Sequence, residues 1–199
     1  MDARASDLLH SLLSNRRSQR DFSDQGLALA QLNSILLAGQ GHTSPDGKRG
    51  APSAHALHPL RLRVIARRVE GLAPGVHDFD SASATLHQVG PALSPGSLNA
   101  AALGDETWLE QAAAVVVIIA DRELAIRHFA EQQADGLRGA RYVDFEAGAV
   151  TQNMYLAVTA AGLGAVVVMG FDDLSLNATL GLTGSEAAVA LFCVGQPRR

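Results

Sequence analysis

Nine consecutive apolar residues, 112–120, constrain this chain of 199 residues more than any other stretch. The run is too short to span a bilayer as a helix, which takes about 20 residues. Its valine and isoleucine centre predicts a fully apolar strand over 114–120. Elements on either side follow from periodicity. Leu8/Leu12 and Leu9/Leu13 stack at helical spacing behind Ser6, a capping residue, and predict a helix ending near Ser14 or Asn15. Leu29, Leu32, Ile35 and Leu36 mark a second helix, stopped by Gly39-Gln40-Gly41, and a turn-rich loop covers 42–59. Residues 60–65 alternate as a half-buried strand should, and strands near 76–79 and 85–89 read as a hairpin. Beyond the apolar strand come helical blocks at 122–133 and 142–161, a buried strand at 165–169, a short helix at 172–180 and a last strand at 188–194. Helices separate the strands unevenly and a hairpin is included. The expected class is therefore α+β with a mixed sheet, in one domain over 1–199.

Composition narrows the function classes. The chain is 47% hydrophobic and 18% charged, which is globular and not disordered. Its start, Met-Asp-Ala-Arg, has no basic leader into an apolar signal core, and its one cysteine, Cys193, sits in an apolar run. One cysteine makes neither an internal disulfide nor a cysteine-rich metal site, so a cytoplasmic location is expected and no membrane association. Residues 1–72 carry ten Lys/Arg against six Asp/Glu, whereas 73–199 carry six against fourteen. So local a basic excess, with few aromatics for stacking, argues against nucleic acid and suits a small anionic ligand.

That excess centres on Asn15-Arg16-Arg17-Ser18-Gln19-Arg20-Asp21-Phe22, three guanidiniums and a hydroxyl within five residues. A surface loop gains little from crowding like charges, and arginine's planar fork grips phosphate oxygens in pairs. Read alone, the segment is either a solvated basic turn or an anion grip. Other chemistries fall away. Gly39-Gln40-Gly41 follows a helix instead of a strand, and Ser44 stands where a dinucleotide fingerprint needs glycine. There is no Gly-x-Ser-x-Gly elbow and no Walker loop. His55-Ala56-Leu57-His58 lacks a nearby carboxylate or cysteine to complete a metal shell, so no metal is expected. His77 and His87 read as surface or half-buried residues, and Glu146 as a buried structural acid.

With no nucleophile, base or metal constellation, the chemistry is expected from a bound cofactor. Three segments fit. Ala51-Pro52-Ser53-Ala54-His55 is a small-residue turn that lets backbone approach a flat ligand. The stretch from Tyr142 to Asn153 is a helix strewn with Gly and Ala that can pack tightly on another helix. Val167-Val168-Met169-Gly170-Phe171-Asp172 ends a strand at a glycine and opens a helix, which turns backbone N–H groups outward.

In order and wording these segments, with Ala38-Gly39-Gln40-Gly41, Val69-Glu70-Gly71-Leu72-Ala73-Pro74-Gly75-Val76, Ala101-Ala102-Leu103-Gly104, Glu146-Ala147-Gly148-Ala149-Val150-Thr151-Gln152-Asn153 and Gly162-Leu163-Gly164, resemble the FMN-dependent nitroreductase-like flavoproteins. The nearest likeness is to their SagB-type dehydrogenase branch. The resemblance implies a central mixed sheet flanked by helices, and a helix-mediated homodimer with two FMN sites at its interface. It implies that Arg16 and Ser18 hold the FMN phosphate with Arg17 flanking it. Arg20 would face the pyrimidine edge of the flavin, where a positive charge stabilises the anionic reduced ring. Pro52, Ser53 and Ala54 would come from the other subunit and pack on the ring. Met169 and Gly170 would lie at the flavin edge, the Gly170 N–H toward N5. Gln152 and Asn153 would approach the site or stabilise the dimer helix. Arg198 or Arg199 would reach the phosphate or belong to a frayed tail.

Implied with the family is NAD(P)H as electron donor and ping-pong transfer to a nitroaromatic, quinone or similar conjugated acceptor, with no obligatory side-chain acid or base. Two alternatives stand. One is a dehydrogenase of a modified peptide or small metabolite that uses O₂. The other is a non-catalytic flavin-binding or docking subunit for a peptide-modifying enzyme. The azoline-oxidising members share a Lys-Tyr pair ahead of their Arg-Tyr-x-x-x-Glu stretch. This chain has Phe129-Ala130-Glu131-Gln132-Gln133 there and its only lysine at Lys48, which speaks against azoline oxidation. Ala56 also stands where many members place an asparagine near the flavin.

Overall fold

A computed structural model describes residues 3–198, so Arg199 lies outside the described residues. The apolar run becomes β6 (Ala114–Asp121), inside a six-stranded sheet ordered β5 (Thr85–Gly90), β4 (Gly75–Asp80), β2 (Leu60–Ala66), β6, β8 (Glu186–Gly195), β7 (Gly164–Val168). Residues 114–120 are all fully buried because both faces of the strand are covered. Side chains alternate across a strand. Ala114, Val116 and Ile118 therefore pack with Leu32, Ile35 and Leu36 of α2 (Leu29–Gln40) and Val150 and Met154 of α6 (Arg138–Ala160). Val115, Val117 and Ile119 pack with Leu98 of α3 (Ser97–Ala101), Leu109 of α4 (Trp108–Gln111), and Leu176 and Leu180 of α7 (Asp173–Leu180). Each such buried Val or Ile contributes roughly 1.5–3 kcal/mol relative to exposure.

The α+β class stands as expected, with one difference: every pairing inside the six-stranded sheet is antiparallel. The connection from β6 through α5 (Arg122–His128) and α6 does return β7 parallel to β6. The last strand, β8, then inserts between them and pairs antiparallel with both. Parallel pairing survives at the two-residue ladder of β1 (Leu27–Ala28) with β3 (Val69–Glu70) and at a Ser18–Ala165 bridge. The helical block expected over 122–133 is α5 followed by a 3₁₀ turn, Ala130–Gln132.

Strand β2 departs from its half-buried expectation. Its alternate arginines are covered, and Arg63 is only 8% exposed. Asp78 of β4 accepts from Arg63 Nε at 2.6 Å and Nη2 at 3.0 Å, and from Arg61 Nη1 at 3.0 Å. Glu186 of β8 takes Arg61 in a bidentate pair at 2.6 and 2.8 Å. Burial pushes the Asp78 carboxyl up, but Arg63 and Arg61 outweigh it and hold it below its usual value of 3.8. Glu186 is held low chiefly by its bond to Arg61. A lowered folded-state value means stabilisation that is complete above the unfolded value and is lost as pH falls through the folded one. Melting midpoints should therefore drop below about pH 4, and Asp78→Asn should flatten that drop; an unchanged acid limb in Asp78→Asn would refute the assignment.

His77 is likewise corrected. It is buried, with Nε2 2.9 Å from the Ala73 carbonyl oxygen, because β4 is an inner strand, whereas His87 on the edge strand β5 is exposed. Cys193 is fully buried as expected, and burial pushes its thiol far up. The first helix, α1 (Ala3–Asn15), buries no residue; Leu8, Leu9 and Leu13 are each at least half exposed.

Candidate functional site

The end of β7 is a turn pinned on its far side, and the Gly170 N–H is among its unclaimed donors. Phe171 is buried and bridges Ala102. The Leu103 N–H donates to the Gly170 carbonyl at 2.9 Å, and the Asp172 N–H donates to the Ala101 carbonyl at 2.8 Å. Asp172 then caps α7, its carboxylate accepting from the Ser175 N–H at 2.8 Å. Gly170 is thus fixed on its C-terminal side, while no acceptor among the described residues takes its own N–H. Space is open where a side chain at Gly170 would stand, and Met169 beside it is 64% exposed.

Next to this turn runs a groove of about 200 Å³, with Ala147, Gly148, Gln152 and Tyr155 of α6 on one side and Val167 and Met169 on the other. Gly148, like Gly170, faces open space. The groove residues share one face of α6. Glu146, Val150 and Asn153 lie on the opposite face, about 180° away at 100° per residue. Gln152 therefore belongs to the groove and Asn153 does not.

The arginine segment reaches this place because it is stitched alongside β7. The Arg16 N–H continues α1 onto the Leu12 carbonyl at 3.0 Å, and the Gln19 N–H donates to the Ala165 carbonyl at 2.8 Å. The Arg16 guanidinium sits 5.2 Å from the centre of the Tyr155 ring, whose hydroxyl accepts from the Val167 N–H at 2.9 Å. Arg17 donates to the Arg16 carbonyl at 2.7 Å, and Ser18 is exposed. Arg20 leans on the only tryptophan, Trp108, at 5.5 Å. None of Arg16, Arg17 and Arg20 is in an ion pair, whereas Arg61, Arg63, Arg67, Arg122, Arg127 and Arg198 all are. Three neighbouring cations without a counter-charge among the described residues are chemically able to hold an anion.

Pro52, Ser53 and Ala54 do not line this chain's own groove. Ser53 accepts from the His58 N–H at 2.8 Å and bonds the buried Glu146 on the far face of α6. Its hydroxyl is therefore committed inside the protomer. Burial raises the Glu146 carboxyl, against the pull of Ser53, Arg49 and Gln40, and Arg49 itself donates to Gln40. Glu146 is thus buried, as expected, and bonded within that network. Arg198 comes close to the arginine segment but spends its guanidinium on the Asp21 carboxylate at 2.8 Å and the Phe22 carbonyl at 3.1 Å. Sequence reasoning missed Tyr155, Trp108 and Leu103, which no spacing ties to the arginines; only the fold does.

Comparison with known proteins follows the same outline. The model of the Nitroreductase family matches residues 13–196. A protein of Methanocaldococcus jannaschii that carries a provisional nitroreductase name is 33% identical over 193 residues, 94% of this chain and 90% of its own. Among solved structures, a nitroreductase-type protein of Ralstonia eutropha superposes with a TM-score of 0.78 at 24% identity, covering 96% of this chain and 83% of that one. The NADPH:FMN oxidoreductase of Vibrio harveyi, solved with NAD⁺, superposes with a TM-score of 0.66 at 21% identity, over 96% of this chain and 70% of that one. Among the described residues no helix is long and apolar enough to cross a membrane.

Proposed function

The chain belongs to the nitroreductase family, and from that premise we propose that it is an FMN-dependent oxidoreductase drawing on NAD(P)H. In this reading a nitroaromatic, quinone or similar flat conjugated molecule is the acceptor, in ping-pong order. The observation that carries the reading is a pair of unmet demands on either side of one groove, Arg16 against its Tyr155 and Gly170 next to its Met169. Unpaired Arg16 and Arg17, with Ser18, call for a phosphate at one place, and the unclaimed Gly170 N–H calls for an acceptor at another. A flat ring fits between them, because Gly148 and Gly170 leave open space over the groove. Bound there, FMN would supply the two-electron hydride chemistry, and the chain its binding and orientation.

The residues have separate tasks. Arg16 and Ser18 bind the phosphate, with Arg17 beside them. Tyr155 and Trp108 hold the guanidiniums of Arg16 and Arg20 by their ring faces. Leu103 and Ala101 anchor the chain just after Gly170, which fixes where the strand ends beside the groove. Arg20 supplies positive charge toward the ring, Met169 covers its edge, and Gln152 borders the groove.

A groove of about 200 Å³ is a floor, since sites for ligands of this size take roughly 300–1,000 Å³. A second copy supplies the wall, with its Pro52–Ser53–Ala54 turn over the ring. The leucines of α1 and Phe145 of α6, 73% exposed, give the homodimer its apolar contact. Arg198 joins the phosphate site only by leaving Asp21. A cytoplasmic location fits the use of NAD(P)H.

Turnover tests the reading. Protein loaded with FMN should oxidise NAD(P)H slowly alone and at least about tenfold faster with a quinone or nitroaromatic present, a barrier difference of ~1.4 kcal/mol. Reoxidation by O₂ alone, with no gain from either acceptor, would favour a dehydrogenase of a peptide or metabolite. FMN bound without any NAD(P)H oxidation would leave a docking subunit.

A further inference from the structure

One histidine cluster takes no part in the site above. His55 and His128 lie 73 positions apart, yet the His55 Nδ1 and the His128 Nε2 stand 3.1 Å from each other at the surface. Phe129, 2% exposed, touches both rings, with centroids at 5.0 and 4.6 Å, and is itself braced edge-on by Tyr142 at 4.6 Å. The rings of the two histidines cross at 80°. Neither is paired with a carboxylate, and the neighbouring Arg127 is engaged with Glu123 at 3.1 Å.

The backbone carrying His55 is strained. His55, Ala56 and His58 have φ of 53°, 52° and 50°, in the left-handed region that non-glycine residues avoid. Such conformations cost of order 1 kcal/mol or more each and persist where the surroundings over-determine them. Here they bring the His55 ring across to α5 instead of toward His58, its near neighbour in sequence.

Two nitrogens bound to one ion at about 2.0–2.1 Å stand roughly 2.9 Å apart at a right angle and 3.4 Å apart at a tetrahedral one. The two rings share a hydrogen bond at 3.1 Å, a separation within that span, so an ion would take the place of the shared proton with little movement of the nitrogens. No third His, Cys, Asp or Glu among the described residues joins the pair, so the protein contributes two donors and leaves the other positions to water. We propose that His55 and His128 form a two-imidazole site for a late first-row dication of the Zn(II) and Cu(II) class. Imidazole suits these ions, and Cu(II) binds tighter than Zn(II). An ion there staples the Pro52–Ser53–Ala54 turn, which runs directly into His55, to the end of α5. The site does not depend on the flavin reading, since it uses none of the same side chains.

The test uses untagged full-length protein at mildly alkaline pH, where imidazoles are free to bind metal. Zn(II) is titrated by calorimetry and Cu(II) by electron paramagnetic resonance. Wild type should bind one ion of either metal per chain, with nitrogen hyperfine structure for Cu(II). His55→Ala and His128→Ala should each weaken binding at least tenfold, while His58→Ala and His87→Ala leave it unchanged. Zn(II) should raise the melting midpoint of wild type and of neither ligand variant. Wild type without a stoichiometric site would overturn the proposal. So would binding that survives His128→Ala, or that is lost in His58→Ala, which would place the ion on the local loop pair.

Discussion

Replacing Arg16 and Ser18 together by alanine is expected to strip the protein of FMN while leaving its dimer intact. Arg16 is held by Tyr155 and has no counter-ion among the described residues, so its charge is open to a ligand. A charge-assisted bond from arginine to phosphate is worth about 1.5–3 kcal/mol, and a hydroxyl bond about 0.5–1.5 kcal/mol. Their joint loss weakens FMN binding by roughly 30- to 2,000-fold. The dimer should persist, because the contact assigned to it rests on the α1 leucines and Phe145, which the substitutions do not touch. Fluorescence titration of FMN gives the first quantity and light scattering the second. A double variant that binds FMN as tightly as wild type places the phosphate elsewhere, and one that dissociates places the arginine segment in the dimer contact.

Gly139→Ala is expected to be the most damaging single methyl group in the fold. Gly139 lies in the first turn of α6, where that helix crosses α5. A Cβ there would stand 2.5 Å from the Ile126 nitrogen and closer still to the Ala125 carbonyl. The obstacle is helical backbone, which cannot rotate aside as a side chain can. One helix must shift by about an ångström through a packed core, at a cost of at least ~3 kcal/mol. For a domain of this size the melting midpoint should fall by roughly 6–12 °C. A midpoint within a degree of wild type would show that α5 and α6 are not packed as described. The two predictions separate cleanly, since the first removes ligand without unfolding and the second unfolds without touching the arginines.

Much of this was legible before any coordinates. The apolar run at 112–120 had to be buried on both faces, and it supplies β6, one of the two central strands of the sheet. The arginine segment and the glycine at 170 stand out in the sequence; in the fold Arg16 lies against Tyr155 of the groove and Gly170 follows Met169 at its edge. What was hidden depended on contacts distant in sequence. The pattern of β2 looked half-exposed because Arg61 and Arg63 alternate with apolar residues; only the arrival of Asp78 and Glu186 from other strands allows them inside. The sheet looked mixed because β6 and β7 do run the same way, and nothing local reveals that β8 slots between them. Tyr155 and Trp108 carry no spacing that ties them to Arg16 and Arg20. Nothing in the sequence ties His55 to His128, 73 positions on, where a left-handed backbone brings its ring. Ser53 shows a subtler limit: nothing local in the sequence reveals that its hydroxyl is committed to Glu146 and His58.

The central claim is that one FMN sits on each chain, phosphate at Arg16 and Ser18 and ring edge at Gly170. Its most direct measurement is an equilibrium titration of the apoprotein with FMN, followed by flavin absorbance and by the fluorescence of Trp108, the sole tryptophan, which lies against Arg20. The account predicts saturation at one FMN per chain, a perturbed flavin spectrum, and quenching of Trp108 that tracks it. Protein that remains colourless and leaves the tryptophan signal unchanged at saturating FMN would contradict it.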